Sequence, residues 1–221
     1  MKKRRNAAKH FQLSALMAAV MLISVFMIGG AGPVWAKSKK KSVNYPVALA
    51  HAKNDEKGRY SGASKGAKPG DQRGNEVAVD SYFSYSGWTY VARAKDPVKA
   101  KLIAKQAIDG CNNDKIGYGA DGLQLYEAAQ EVLFQLGKVS QKCNTDCYGF
   151  VDACCFSAGL QTSPIGMRKG KEYDEGYNPY HEYEFFWDKA HRKSAKLLKV
   201  GDILVRQGKN HVAILVKNSK R

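Results

Sequence analysis

The chain has 221 residues and carries 36 Lys and Arg against 20 Asp and Glu, a formal net charge of +16. A surface that basic favours polyanionic partners. No zinc finger, helix-turn-helix or aromatic nucleic-acid motif accompanies the charge, so sequence-specific recognition of DNA or RNA is excluded from the expected functions.

At the N-terminus, Met1-Lys2-Lys3-Arg4-Arg5 is followed by an apolar run over residues 13–28 and by Val34-Trp35-Ala36, a small-x-small pattern. Residues 1–36 therefore read as a secretory signal peptide cut after Ala36. An N-terminal membrane anchor is the alternative, because the apolar run is long for a signal peptide. Nothing after Ala36 reads as membrane-spanning, and no lipobox cysteine is present. Removing these 36 residues, with their five Lys or Arg and no acid, leaves 185 residues at a net charge of +11. That length suffices for one domain with a real core. For an exported protein the positive charge suits anionic wall polymers, anionic lipids or acidic glycans.

Residues 37–44 form a basic linker, and the domain is expected over residues 45–221. Residues 45–53 read as a short helix, with Pro46 near its start and Gly58 beyond its end. Residues 58–74 lack periodicity and read as a loop. Residues 76–83 and 88–94 carry β-branched and aromatic side chains around a Ser84-Tyr85-Ser86-Gly87 turn, which predicts a hairpin. Asp96-Pro97 supplies an N-cap and a first-turn proline to a helix whose inward stripe is Val98, Leu102, Ile103 and Ala107, ending at Gly110. Residues 112–119 read as a turn-rich loop, and Asp121 opens a second helix running through Leu125, Ala128, Ala129, Val132, Leu133 and Leu136 to Gly137. Residues 161–195 are polar and aromatic; their tyrosines and Trp187 either pack on the core or line a groove. The chain ends in two strands, 198–206 and 211–217, joined by a turn at 207–210.

The most informative stretch is Cys143-Asn144-Thr145-Asp146-Cys147. Cys147, Val151, Cys154, Cys155 and Ala158 fall on one helical stripe that Gly159 stops, and Asp146 stands at the N-cap position. A helix N-terminus favours negative charge, so the position suits a thiolate nucleophile with a lowered pKa. A buried structural cysteine is the alternative reading. Five cysteines, at 111, 143, 147, 154 and 155, leave at least one thiol unpaired within a chain. A Cys143–Cys147 disulfide and a zinc site compete with the nucleophile reading, although zinc ligands usually come as two pairs at defined spacing. His211, some sixty residues downstream at the start of a strand, is the matching base or else a surface strand histidine. His10, His51, His181 and His191 lack comparable surroundings and are assigned no role. No cofactor or metal is expected.

Asp146-Cys147-Tyr148-Gly149-Phe150-Val151, Gly201-Asp202-Ile203 and His211-Val212-Ala213-Ile214 resemble, in order and spacing, the Asp-Cys-Ser-Gly, Gly-Asp and Gly-His-Val-Gly-Ile signatures of the NlpC/P60 cell-wall peptidases. Asn54-Asp55-Glu56, Gly70-Asp71-Gln72 and Gly74-Asn75-Glu76-Val77 resemble the N-terminal part of phage-type peptidoglycan hydrolases. The resemblance implies an α+β, papain-like NlpC/P60-type fold in which a helix carrying the cysteine packs on a small antiparallel sheet carrying the histidine. It implies Cys147 as nucleophile, His211 as general base and then acid, a thioester intermediate, and peptidoglycan as substrate. The Cys147 amide would help hold the oxyanion, Asp146 borders that position, and Tyr118 resembles the tyrosine placed across from the cysteine, a core or loop tyrosine being equally open.

Two departures stand out. Tyr148 replaces the usual serine, which bears on substrate choice. Relatives also orient the histidine with a polar group on the following strand, but Asn218 lies seven residues on, about 23 Å at about 3.3 Å per residue, out of reach of the imidazole unless the chain folds back. Asp71 or Gln72 is the proposed substitute. The expected function is an exported, secreted or wall-located cysteine peptidase or amidase acting on stem-peptide amides. A non-catalytic wall-binding module and a thiol acyltransferase or transpeptidase on the same fold are the alternatives.

Overall fold

The computed structural model of the protein describes residues 45–60, 66–82, 87–119, 123–174, 176–207 and 211–219. The expected signal peptide, the 37–44 linker, Asp121, the Ser84-Tyr85-Ser86 turn residues and turn residues 208–210 lie outside the described residues.

A six-stranded antiparallel sheet organises the described chain, in the order β2 (Val77–Ser81), β1 (Val47–Ala52), β8 (His211–Asn218), β7 (Ile203–Arg206), β3 (Tyr90–Ala94) and β6 (Tyr183–Phe186). Two longer helices, α1 (Pro97–Cys111) and α3 (Cys147–Ser157), join one core cluster with the sheet. Along β8 the side chains alternate by cluster. Val212, Ile214 and Val216 meet helical residues such as Ile103, Ala107, Val151 and Cys154. Ala213 and Leu215 instead join Leu49, Trp88, Val91 and Leu204 in a second cluster. A strand buried on both faces shows no polar alternation.

Residues 45–53 are not a helix: they contain β1, all six of whose residues are buried between β2 and β8. Its run of small apolar residues has no exposed face, so periodicity could not separate a buried strand from a helix. The expected 76–83/88–94 hairpin does not form either. β2 pairs with β1, whereas β3 pairs with β7 and β6. The second predicted helix is shorter than expected. It becomes α2 (Leu123–Gln130), after which Leu133 and Phe134 take positive φ of 52° and 54° and a 3-10 turn follows at Leu136–Lys138.

The 112–119 segment expected to be loop holds β4 (Ile116–Tyr118), paired in parallel with β5 (Cys143–Thr145). The 161–195 segment supplies β6 and a short helix α4 (Lys189–Lys193).

Other expectations hold as read. Asp96 caps α1 by accepting from the Val98 amide at 2.7 Å, with Pro97 at the helix start. The last two strands pair as a hairpin with Arg206 opposite His211. Gly201-Asp202 proves to be a structural motif. Gly201 has φ +92° and passes so close to α1 that a Cβ would lie 2.2 Å from the Ala100 carbonyl oxygen. Buried Asp202 takes a two-pronged pair from Arg93, with both bonds at 2.7 Å, and accepts from the Lys199 amide at 2.8 Å.

Candidate active site

The short parallel pair β4–β5 delivers the chain into α3. Asp146 sits at the N-cap with extended backbone, and its Oδ1 accepts from the Gly149 amide at 2.7 Å. Cys147 follows as the first helical residue and is only 7% exposed. Its sulfur lies in hydrogen-bonding reach of the amides of Cys147, Tyr148 and Val212. Val212 follows His211 along β8, so the head of α3 and the start of β8 come together.

Burial determines the state of this thiol. It pushes the Cys147 pKa up to about 12, the Asp146 charge pushes in the same direction, and the three amides oppose both without prevailing. The sequence-based expectation of a lowered pKa is therefore reversed: the dipolar pull of one helix turn is smaller than the cost of desolvating a thiolate. No disulfide joins any two of the five cysteines, so the Cys143–Cys147 bridge is not formed. Among the described residues no cluster of three or more His, Cys, Asp or Glu could hold a metal ion.

His211 is held from two sides. Trp88, 1% exposed, stacks on its ring at 6.2 Å between centroids and 27° between planes. Nε2 of His211 lies 3.0 Å from Nδ1 of His51, a buried residue on the neighbouring strand β1. Burial, then the proximity of His51 and Arg206, push the His211 pKa down to about 4, so the ring is neutral near pH 7.

His51, which the sequence does not single out, is the polar partner bonded to His211. It continues to Asp80 on β2, whose Oδ2 is 3.1 Å from Nε2 of His51 and 2.8 Å from the Lys53 ammonium. The hydrogen bond from His51, and then the Lys53 contact, hold the Asp80 carboxyl well below the usual carboxylate range.

The other sequence candidates serve the walls around this group. Asp71 accepts from the Arg73 and Glu76 amides at 3.0 and 3.2 Å, and Gln72 donates to the carbonyls of Pro69 and Gly70 at 2.9 and 3.1 Å. Both side chains therefore bond within their own loop, and the position expected for them beside His211 is taken by His51. That loop is fastened to β4, because buried Glu76 accepts from the Gln72 and Tyr118 amides at 2.9 and 3.0 Å. Tyr118 is buried and in register with Thr145, two residues before Cys147. Asn218 donates to the carbonyls of Ala195 and Leu198 at 2.7 and 2.9 Å. A cavity of about 500 Å3, lined by Arg93, Lys95, Lys101, Glu184 and Lys199 among others, shares no residue with Cys147, His211, His51 or Asp80.

The described residues form a mixed α+β domain with an antiparallel sheet. A family model described as endolysin-like domain matches residues 49–221, and the chain belongs to that family. The family points to cell-wall lysis with peptidoglycan as the substrate. No curated protein and no solved structure matches the chain. Among the described residues, no helix is long and apolar enough to cross a membrane.

Proposed function

We propose that the protein is an exported cysteine peptidoglycan hydrolase of papain-like, NlpC/P60-type architecture, cutting stem-peptide amide bonds with Cys147 as nucleophile and His211 as base. The observation that carries this reading is the His211–His51 hydrogen bond of 3.0 Å at the strand end whose Val212 amide meets the Cys147 sulfur.

With the thiol raised to about 12 and the imidazole lowered to about 4, the resting pair is neutral thiol and neutral imidazole. Neutral His211 takes the thiol proton as sulfur attacks the carbonyl carbon. The carbonyl oxygen becomes an oxyanion that the Cys147 amide at the helix N-terminus can hold. His211 then gives the proton to the departing amine, leaving a thioester, and water attacks it with His211 again as base to release the acid and regenerate the thiol. His51, bonded to the far nitrogen of His211, keeps the ring in place through these transfers. Residues 1–36 act as the export leader, and the basic surface holds the protein on the anionic wall.

The raised thiol pKa is also the observation that favours a non-catalytic wall-binding module. Iodoacetamide labelling of Cys147 across pH separates the two. Under the hydrolase reading, the native protein labels faster near neutral pH than His211→Ala; superimposable curves would remove the pairing and with it this mechanism. Product masses separate hydrolysis from acyl transfer to an amine.

A further inference from the structure

Four side chains from adjacent strands form one line: His211 on β8, His51 on β1, Asp80 on β2 and Lys53 just beyond β1. The contact between the two histidines is symmetric in one respect that matters. A single proton sits between His211 Nε2 and His51 Nδ1, and either nitrogen can own it. The other nitrogen of each ring then takes the opposite role, because a neutral imidazole has one donor and one acceptor. The His–His bond by itself therefore cannot decide which nitrogen of His211 is the base.

We propose that Asp80, with Lys53 bonded to the same carboxylate oxygen, is the positioning residue that fixes the tautomers of both imidazoles and leaves the basic lone pair on Nδ1 of His211. This rests on the reading of Cys147 and His211 given above.

An ionised carboxylate only accepts hydrogen bonds. With Asp80 Oδ2 3.1 Å from Nε2 of His51, that nitrogen must carry a proton. A His51 ring that carries this one proton presents a bare Nδ1, which accepts from Nε2–H of His211 across 3.0 Å. His211 is left with its lone pair on Nδ1, the nitrogen that would receive the Cys147 proton. Lys53, 2.8 Å from the same oxygen, favours the ionised carboxylate on which the chain of assignments depends.

Among the described residues, Asp80 and Lys53 are the charges on the His51 side of the histidine pair and Arg206 is the charge on the His211 side, with the Cys147 thiol at the head of α3. Of these, Asp80 contacts His51 Nε2 as an acceptor. Without it, the tautomer with His51 donating from Nδ1 becomes accessible, which moves the His211 proton to Nδ1 and blocks the base.

Long-range proton–nitrogen NMR of histidine-labelled protein at neutral pH reads the tautomers directly. In the native chain both His51 and His211 should be protonated at Nε2; a proton on Nδ1 of either ring in the resting state overturns the proposal. Asp80→Asn should show a second population with His211 protonated at Nδ1. On purified cell walls it should slow kcat by about 10- to 100-fold at unchanged KM, by analogy with carboxylates that orient a metal-bound imidazole. Asp80→Glu should restore the native tautomers and part of the rate. An Asp80→Asn protein that folds and keeps native tautomers overturns the proposal. If the native tautomers are found but Cys147→Ala still lyses walls, the hydrolase mechanism fails while the tautomer assignment stands.

Discussion

The sulfur of Cys147 stands under opposed influences, with burial and the Asp146 charge raising its pKa and the amides of Cys147, Tyr148 and Val212 lowering it. Its reactivity therefore depends on a base taking the proton during attack. Cys147→Ala should abolish lysis of purified walls while leaving the thermal midpoint nearly unchanged, since a small apolar residue suits the site. Cys154 lies on the same stripe, fully buried and far above the ordinary thiol range because of that burial. Cys154→Ala should cost about 1 kcal/mol in denaturant titration, the size of a small core truncation, and leave turnover intact. An inactive but stable Cys154→Ala protein would move the nucleophile assignment to that residue. At this scale the placement of Cys147 at a capped helix start and of His211 at a strand start is legible in sequence, because each position lies in a local pattern. His51 is not, since its partner lies 160 residues away on a neighbouring strand. The available hint was a histidine between Ala50 and Ala52, inside an apolar run where a polar side chain needs a buried partner.

Among the elements, α3 was read correctly because cap, stripe and stop agree, and the opposing charge of its cap gives a prediction. Asp146→Asn retains a good N-cap and removes the negative charge beside the sulfur. It should keep helix stability and speed Cys147 alkylation at mildly alkaline pH; slower alkylation would show that the carboxylate assists the thiol. β1, a small-residue strand buried on both faces, has no periodic signature, and β2 and β3 pair with other strands although they are neighbours in sequence. The β3–β7 connection instead relies on Arg93 and Asp202, whose side chains are 12% and 0% exposed. Asp202→Ala leaves the guanidinium buried without its carboxylate and should cost about 3–5 kcal/mol in chemical unfolding. A loss below about 1 kcal/mol would show that the pair adds nothing beyond a surface contact.

For the molecule as a whole, two partly buried groups titrate in opposite senses between pH 6.5 and 4. His211, lowered to about 4, binds its proton less readily in the folded state, so its contribution is present above the unfolded value of about 6.5 and lost as pH falls through about 4. Asp152 is raised to about 6 by burial, against the hydrogen bond from Ser163 at 2.6 Å. Its folded state binds the proton more readily, so stability is gained as pH falls through about 6. The two offset, and Asp152→Asn should expose the histidine: more stable at pH 7 by on the order of 2 kcal/mol, with the gain fading toward pH 4. Thermal midpoints of both proteins across that range check it; parallel curves would contradict the assignment of Asp152.

The basic surface charge and the endolysin-like match agree on the wall as substrate, and the chemistry attributed to Cys147 makes a specific demand on the products. Purified cell walls digested with the native protein, with Cys147→Ala as control, should yield mass-spectrometric fragments that carry one new amine and one new carboxylate per cut, with no new reducing sugar ends, and the control should yield none. New reducing ends, or the same fragments from Cys147→Ala, would contradict a cysteine hydrolase of peptidoglycan amide bonds.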